Sequence, residues 1–468
     1  MASDCHTGLA YDRSVGSLRA GLADAVGERF VTVDPGVLAA RATDHTGRCT
    51  GRAGALVRPA DAAEVSAVLI VCRRAGAQVT VQGGRTGLVG GAVPEHGDVL
   101  LSTERLTDVG AVDTEDLRVT VGAGVVLSRL QKAARREGLL FGVDLSSRDS
   151  ATIGGMLSTD AGGLHTIRYG NMLDQALGLE VVLPDGSFVH RTTRVPADNS
   201  GYHLPALWVG SEGTLGVVTA ADLRLHPTPL RGVTALAGFA KLSALIDAGR
   251  RLRRLGGVDA LELLDGRGLE LAATRLGAGV PHELPWYLLV ELSGDRDRTD
   301  ELAEALGGCE PADEPAVGVD ATGRARVWAA REAFAEVVGL FGPPVKFDAA
   351  FRLEAFESFV EDAVGFISKR APDAIPVLFG HFAVGNLHLN VLRCPDETAL
   401  RRPILELVRD HGGNICSEHG IGSHNREYLE FAYSPEDIDA MWTIKRAFDP
   451  DDYLNPAVIF PPRLRLRN

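Results

Sequence analysis

Three glycine-rich loops in the first half of the chain constrain its fold more than any other feature. The first covers residues 83–91 and follows residues 78–82, whose polar–apolar alternation predicts a strand. The second covers residues 153–163, and the third covers residues 210–216. Glycine permits positive φ and lets backbone N–H groups turn toward an anion, so each loop is either a phosphate cradle or an elaborate turn. Three such loops in one domain favour a long ligand that the backbone approaches at several points, as an extended flavin nucleotide would be.

The first loop does not match the common nucleotide-binding patterns. It is not a Walker A sequence, and no helix is predicted to open from it, as a G-x-G-x-x-G dinucleotide fingerprint requires. Strands and helices also mix along the chain without strict β-α-β alternation. The predicted fold class is therefore α+β rather than a doubly wound sheet.

The segment from Gly380 to Asn390 carries the clearest chemical signal. An apolar strand over residues 376–379 leads into a glycine-containing turn and a second strand. His388 and Asn390 lie two residues apart, so they project from the same face of that second strand. Folding of the turn can bring the imidazole of His381 within reach of the same ion as His388.

A second polar cluster, Ser417-Glu418-His419, is followed by Gly420 and Gly422. Neighbouring residues in a regular strand point to opposite faces, so Glu418 and His419 share one site only if the backbone is irregular, as the glycines allow. Two histidines and a glutamate that leave a position open are the ligand set of a catalytic divalent-metal site. The alternative for each histidine is a satisfied residue of an apolar core, and for the glutamate a surface carboxylate.

The length and the distribution of prolines predict more than one domain. A chain of 468 residues exceeds the usual size of one domain, and His226-Pro227-Thr228-Pro229 marks a boundary. We expect a helical lead-in over residues 1–50 and a ligand-binding domain over residues 51–228. A cap domain over residues 229–420 and a C-terminal segment, 421–468, that returns to the first domain complete the expected organisation.

Charge and cysteine usage limit the partners and the compartment. The formal net charge is −14, which argues against nucleic acid as a partner. The six cysteines form no C-x-x-C pair, which favours free thiols in a reducing compartment. Residues 1–6 show no signal-peptide pattern, and no apolar run approaches the length of a bilayer span, so a cytoplasmic protein is expected.

The order of the motifs resembles that of the flavin-dependent D-2-hydroxyacid dehydrogenases. The glycine loops are followed by G-H-x-x-x-G-N-x-H-x-N at 380–390, S-E-H-G-x-G at 417–422, and the motifs Phe448-Asp449-Pro450 and Leu454-Asn455-Pro456. The resemblance covers about residues 45–460. It implies an FAD-binding domain of the vanillyl-alcohol oxidase type, also called the PCMH type, with an α+β cap domain over the substrate.

The resemblance also implies a cofactor and the residues that bind it. Some relatives of the wider fold attach flavin to a histidine of the first loop, and residues 83–91 contain none, so the implied FAD is non-covalent. The implied FAD-binding residues are Gly83, Gly84, Arg85, Thr86, Gly87, Leu88, Gly154, Gly155, Thr159, Gly162, Gly163, Gly210, Glu212, Gly213 and Asn455.

In the cap domain, the resemblance implies a divalent metal, usually zinc, and a substrate carboxylate site. A metal lowers the pKa of a bound hydroxyl, a neutral histidine takes the proton near neutral pH, and the hydride passes to flavin N5. The implied metal ligands are His381, His388 and Glu418, the implied base is His419, and the implied carboxylate-binding residues are Arg331, Lys346 and Asn390.

Some positions depart from the family pattern. Ala335 stands where hydroxyglutarate-type members carry a hydroxyl residue, Ala383-Val384 replaces a turn that usually contains an acidic residue, and Asp160 stands where asparagine is frequent. Residues 349–352 also differ from the usual continuation toward serine and proline. We expect a substrate other than 2-hydroxyglutarate, with Arg352 as an additional anion contact.

The expected activity is FAD- and metal-dependent oxidation of a small D-2-hydroxy acid to the 2-oxo acid. The expected electron acceptor is an electron-transfer flavoprotein, a quinone, a cytochrome or oxygen, and a homodimer is a possible assembly. The alternatives are an oxygen-using flavoprotein oxidase of another hydroxylated carboxylate, a metal-dependent hydrolase if no flavin binds, and a flavin-binding subunit without catalysis of its own.

Overall fold

The computed structural model describes residues 17–191 and 200–462, so residues 1–16, which include residues 1–6 where no signal peptide is predicted, lie outside the described part. Within the described residues, no helix combines the length and the apolar character that a membrane span needs. The strands in chain order are β1 Val31–Thr32, β2 Ala53–Val57, β3 Val79–Gln82, β4 Asp98–Ser102, β5 Arg118–Gly122, β6 Leu139–Leu140, β7 Ala176–Val182, β8 Phe188–Arg191, β9 Val217–Arg224, β10 His226–Pro227, β11 Arg231–Phe239, β12 Val258–Asp265, β13 Trp286–Gly294, β14 Ala316–Gly318, β15 Val345–Ala350, β16 Ile375–His381 and β17 Asn386–Leu392.

Helices connect these strands and cover the sheets. Short 3-10 turns occur at Glu28–Phe30, Phe382–Val384 and Arg426–Phe431. The α-helices are α1 17–26, α2 Pro35–Ala39, α3 Ala62–Arg74, α4 Leu127–Arg136, α5 Ile153–Ser158, α6 Thr166–Tyr169, α7 Met172–Gln175, α8 Pro205–Trp208, α9 Leu242–Leu252, α10 Gly266–Leu276, α11 Thr299–Gly307, α12 Ala321–Val337, α13 Phe356–Arg370, α14 Thr398–Asp410 and α15 Pro435–Phe448.

The first domain contains two four-stranded sheets that share one hydrophobic core. The first sheet has the order β1-β2-β4-β3, with β2, β4 and β3 parallel, and the second has the antiparallel order β5-β9-β7-β8. Helix α3 joins β2 to β3 and begins where Asp61 accepts a hydrogen bond from the backbone N–H of Glu64. Its apolar stripe, including Val65 and Leu69, is fully buried in the core. Amphipathic periodicity therefore determined both the helix and the face that packs on the sheet.

The second domain is built on a seven-stranded antiparallel sheet. Its strand order is β14-β11-β13-β12-β16-β17-β15. One face packs on α9, α13 and α14, and the other packs on α10 and α12 through a separate core that includes Phe334 and Val377. Because both faces are covered, strands such as β12 and β17 are buried along their whole length, and a polar residue in them must find a partner inside the protein.

The lead-in is not purely helical. After α1, residues Val31 and Thr32 form β1, which pairs with β2 and extends the first sheet. The β-branched run Val31-Thr32-Val33 favours extended backbone, so this part of the predicted helical segment belongs to the sheet.

The C-terminal segment returns to the first domain. The backbone N–H of Val79 donates to the carbonyl of Tyr453 at 2.8 Å, and the N–H of Asn455 donates to the carbonyl of Val79 at 2.8 Å. Tyr453 and Leu454 are buried in the core of the first domain. Residues 463–468 of the predicted returning segment lie outside the described residues.

Candidate active site

A cavity of about 710 Å³ lies between the glycine loops of the first domain and the sheet of the second. Both domains line it, so a molecule bound there contacts the loops and the cap together. The predicted site residues that line it are Gly83, Gly84, Arg85, Thr86, Gly87, Leu88, Gly154, Gly155, Thr159, Gly162, Gly163, Glu212, Gly213, Asn455, Arg331, Lys346, His381, His388, Asn390, Glu418 and His419.

Two predicted residues do not line the cavity. Gly210 has a φ of +77° and donates its N–H to the carbonyl of Leu157 at 2.9 Å, so it forms a turn behind the lining. The side chain of Arg352 is 86% exposed and lies 3.6 Å from Glu354. The prediction of Arg352 as an anion contact therefore has no support in its position, because the side chain leaves the end of β15 toward solvent.

The first glycine loop packs directly against residues 150–155, which lead into and begin the second loop. A Cβ on Gly84 would overlap the carbonyl oxygen of Ser150, and a Cβ on Gly83 would overlap the hydroxyl of Thr152. That hydroxyl accepts a hydrogen bond from the N–H of Gly84 at 3.1 Å. No described atom lies within 4 Å of a Cβ placed on Gly87, which lines the open cavity. The loops thus present bare backbone to the cavity, and this fits the close approach that an FAD pyrophosphate requires.

The register of the cap sheet assembles the predicted metal ligands. His388 is opposite Phe379 on β16 and opposite Asp348 on β15, so these three side chains project from one face. His381 lies at the end of β16. The carboxylate of Glu418 comes to 3.2 Å from His381 Nε2 and 3.8 Å from His388 Nε2.

These three side chains offer one ligand atom each, all within 4.8 Å of one another. Two imidazole nitrogens and a carboxylate oxygen at this spacing suit zinc and leave a position open for another ligand. The donor set therefore fits a divalent metal.

Two buried carboxylates hold the histidines from behind. Glu262 accepts from His381 Nδ1 at 2.6 Å, and Asp348 lies 3.4 Å from the Nδ1 atoms of both His388 and His419. Burial alone would lower the pKa of His381, but the negative charges of Glu262 and Glu418 raise this pKa to about 9. The hydrogen bond to Glu262 orients the His381 ring so that Nε2 faces Glu418, which is the usual arrangement behind a metal-binding histidine, and Asp348 lies behind the other two rings.

The predicted irregular backbone occurs at the turn that carries Glu418 and His419. Asp348 accepts hydrogen bonds from the backbone N–H groups of Ser417, Glu418 and His419 at 3.1, 2.8 and 2.9 Å. Gly420 then takes a φ of +81°. Because the turn wraps around one carboxylate, adjacent side chains reach the same cavity.

The candidate carboxylate-binding residues lie on both sides of the metal ligands. Lys346 is directly opposite Asn390 in the sheet. Asn390 is 3% exposed, and among the described residues its Nδ2 atom has no hydrogen-bond partner. Arg331 lies on α12, donates from Nε to Glu262 at 2.8 Å, and stacks over Phe379. A buried amide without a partner and two cations at the cavity favour an anionic ligand.

Comparisons with known proteins agree with this architecture. A family model described as FAD binding domain matches residues 53–192, and one described as FAD linked oxidases, C-terminal domain, matches residues 228–459. A D-2-hydroxyglutarate dehydrogenase of Xanthomonas citri pv. viticola is 35% identical, over 94% of this chain and 96% of its own. The mitochondrial D-2-hydroxyglutarate dehydrogenase of Bos taurus is 31% identical, over 92% of this chain and 81% of its own.

The chain belongs to the FAD-dependent D-2-hydroxyacid dehydrogenase family. Like its relatives, it is an FAD-dependent oxidoreductase that oxidises a hydroxy acid. Solved structures agree on the fold: p-cresol methylhydroxylase with substrate bound has a TM-score of 0.78 at 16% identity, covering 96% of both chains. The 4-ethylphenol oxidase of Gulosibacter chungangensis has a TM-score of 0.77 at 17% identity, covering 97% of this chain and 98% of its own. The predicted family and fold class are confirmed.

In this D-2-hydroxyacid dehydrogenase family member, sequence reasoning missed the carboxylates that support the site. Glu262 is a lone acidic residue in the apolar run Leu261-Glu262-Leu263-Leu264 of a fully buried strand. A charged residue in a buried strand requires a partner, so this sequence pattern indicates that Glu262 contacts a polar or charged group inside the protein. Asp348 lies two residues after Lys346 on β15, so the alternation of side chains along a strand predicts that both project from the same face.

Proposed function

We propose that this protein oxidises a D-2-hydroxy acid to the 2-oxo acid with the help of a divalent metal held by His381, His388 and Glu418. The observation that carries the proposal is that these ligands open into the same cavity as the glycine loops. When bound, FAD supplies the acceptor for the hydride, and the metal supplies the charge that lowers the pKa of the substrate hydroxyl.

The carboxylate of the substrate is bound by charge and hydrogen bonds. Lys346 and Asn390 are cross-strand neighbours, so one carboxylate can contact the ammonium and the free amide donor together. Arg331 approaches from α12, where its Nε is committed to Glu262 and its terminal nitrogens remain for the ligand. Fixed donors on three elements orient the Cα–H bond for transfer.

His419 is the proposed base. Burial lowers the pKa of this imidazole below its ordinary value, so the ring is neutral at pH 7 and accepts a proton. Asp348 lies 3.4 Å from Nδ1 and leaves Nε2 as the accepting atom. The ring stacks on that of His388 at a centroid distance of 5.3 Å, which places the base beside a metal ligand. The proton of the substrate hydroxyl therefore passes to a group that is already oriented.

An anaerobic screen of 2-hydroxy acids tests the proposal. Purified protein is mixed with short, branched and dicarboxylic D-2-hydroxy acids and their L-isomers, and bleaching of the flavin absorbance is followed. We expect bleaching by D-isomers, loss of bleaching after treatment with a chelator, and recovery on addition of zinc. Bleaching that is insensitive to the chelator would contradict the role of the metal. Reoxidation of the reduced protein by oxygen, a quinone or an electron-transfer flavoprotein then identifies the acceptor.

A further inference from the structure

The turn over residues 417–422 is held by carboxylates from both domains. Asp348 of the cap holds the N–H groups of residues 417–419. Glu212 of the FAD-binding domain accepts two more hydrogen bonds: Oε1 from the N–H of Ile421 at 2.7 Å, and Oε2 from the N–H of Gly422 at 2.8 Å. Glu418 and His419, which carry the proposed chemistry of the site, are held by Asp348 and come just before the two N–H groups that Glu212 holds.

Glu212 is itself rigidly held. Its φ is +49°, in the left-handed region, and its side chain is buried. The backbone N–H of Glu212 donates to the carbonyl of Ser158 at 2.7 Å, and its carbonyl accepts from Asn455 Nδ2 at 2.7 Å. The residue therefore joins the second glycine loop, the C-terminal segment and the turn of the cap at one point.

The turn is shaped to receive this carboxylate. A Cβ on Gly420 would lie 2.9 Å from Glu212 Oε1, and a Cβ on Gly422 would overlap the carbonyl oxygen of Val89. Burial raises the pKa of Glu212 to about 7, although both N–H donors lower it. Burial therefore disfavours the charged form of the Glu212 carboxylate. An aliphatic residue at this position would avoid the free-energy cost of burying a charge, but it would leave the N–H groups of Ile421 and Gly422 without an acceptor.

We infer that Glu212 is a positioning residue that fixes Glu418 and His419 of the cap against the FAD-binding domain. This inference rests on the proposed function, because it assigns a role to Glu212 in that reaction. It also differs from the FAD contact expected of this residue, since both carboxylate oxygens are committed to the turn.

The first test measures the turn directly, without any turnover. Glu212→Gln keeps the size of the side chain, but its amide nitrogen opposes one of the two N–H donors. Amide hydrogen exchange of the peptide covering residues 417–423 is expected to accelerate about tenfold or more. Asp265→Asn is the matched control, because Asp265 is equally buried, accepts from the N–H groups of Gly268 and Leu378 at 2.7 and 2.8 Å, and does not line the cavity.

The second test measures the consequence for the reaction. Flavin reduction in Glu212→Gln is expected to slow by roughly 10- to 100-fold, with little change in substrate affinity and in bound FAD. In a His419→Asn background, the same substitution is expected to slow the reaction by a smaller factor than in the wild type, because one of the two groups that Glu212 positions is gone. Asp265→Asn is expected to leave the rate close to that of the wild type.

Three outcomes separate the inference from the proposed function. Exchange in Glu212→Gln that equals the wild type, or that Asp265→Asn matches, overturns the inference. Full additivity with His419→Asn also overturns it. If no D-2-hydroxy acid reduces the wild-type flavin, the proposed function fails, while the exchange of residues 417–423 still decides whether Glu212 holds the turn.

Discussion

Glu262 contacts a predicted metal ligand and a predicted substrate residue with the same carboxylate. One oxygen accepts from His381 Nδ1 at 2.6 Å and the other from Arg331 Nε at 2.8 Å. Replacement by glutamine removes the charge that orients the imidazole, so we expect Glu262→Gln to weaken zinc affinity about 10- to 100-fold. Competition with a chromophoric chelator measures this affinity.

Glu291→Gln is the control for that substitution. Glu291 is also a buried carboxylate of the cap sheet, and it pairs with Arg324 at 3.1 Å and Trp328 at 2.7 Å, not with a histidine of the site. The zinc affinity of the Glu291→Gln variant is expected to equal that of the wild type. If both variants bind zinc as the wild type does, Glu262 does not support the metal site.

Asp265 makes stability depend on pH. Burial raises the pKa of this carboxyl from its ordinary value of 3.8 to about 7, against two backbone N–H donors that lower it. The folded protein then holds a proton that the unfolded chain has lost, so the free energy of unfolding falls as pH rises from 3.8 to 7, by about 1.4 kcal/mol per pH unit from this group.

Asp265→Asn removes that titration. The free energy of unfolding of the wild type, relative to that of Asp265→Asn, is expected to fall as pH rises from 3.8 to about 7. Urea unfolding at pH 5, 6, 7 and 8 measures the difference. A constant difference across the series would show that the carboxyl does not change its charge there.

At the level of the elements, glycine has two different roles in the first glycine loop: close packing against a neighbouring segment, and an open face toward the cavity. Gly84 packs against Ser150 with no room for a Cβ, whereas Gly87 faces the cavity. We expect Gly84→Ala to destabilise the FAD-free protein by about 1–3 kcal/mol, because the backbone at Ser150, just before the second loop, must move. Gly87→Ala is expected to leave the stability of the FAD-free protein nearly unchanged and to weaken FAD binding.

Denaturant unfolding of the FAD-free protein and titration with FAD distinguish the two effects. If Gly87→Ala binds FAD as tightly as the wild type, this part of the loop does not approach the cofactor. Equal stability of Gly84→Ala and the wild type would show that the first loop and Ser150 are not packed as described.

The elements were predicted more reliably than their pairing. The strands predicted over residues 78–82 and 376–379, and the strand that carries His388 and Asn390, follow from local sequence patterns, and all three are present. Periodicity carries no information on which distant strand becomes a neighbour. Periodicity therefore could not predict that β12 pairs with β16. This pairing brings Glu262 to His381, more than a hundred residues away in the sequence.

For the whole molecule, the C-terminal segment links the stability of the first domain to its cofactor site. Leu454 is fully buried in the first core, and the neighbouring Asn455 accepts from the N–H of Val81 at 2.8 Å. Leu454→Ala leaves a cavity, so we expect a loss of about 2–5 kcal/mol and release of FAD at lower denaturant.

Flavin fluorescence during unfolding measures this release. Leu230→Ala, at a residue that is 75% exposed, is the control and is expected to unfold as the wild type does. Release of FAD at the same denaturant concentration in both variants would show that the returning segment does not support the FAD-binding domain.

The sequence alone determined the chemistry-bearing motifs, because glycine loops, a histidine pair and a Glu-His step are local patterns with a direct physical meaning. It also indicated that Glu418 and His419 need an irregular turn, and the structure has one. The tertiary structure decided what holds these groups in place: Glu262, Asp348 and Glu212 come from three separate elements and meet the site through sheet register and domain packing. It also turned Arg352 toward solvent. The physical reason is that a hydrogen bond between distant residues depends on where the whole chain folds, which no local pattern encodes.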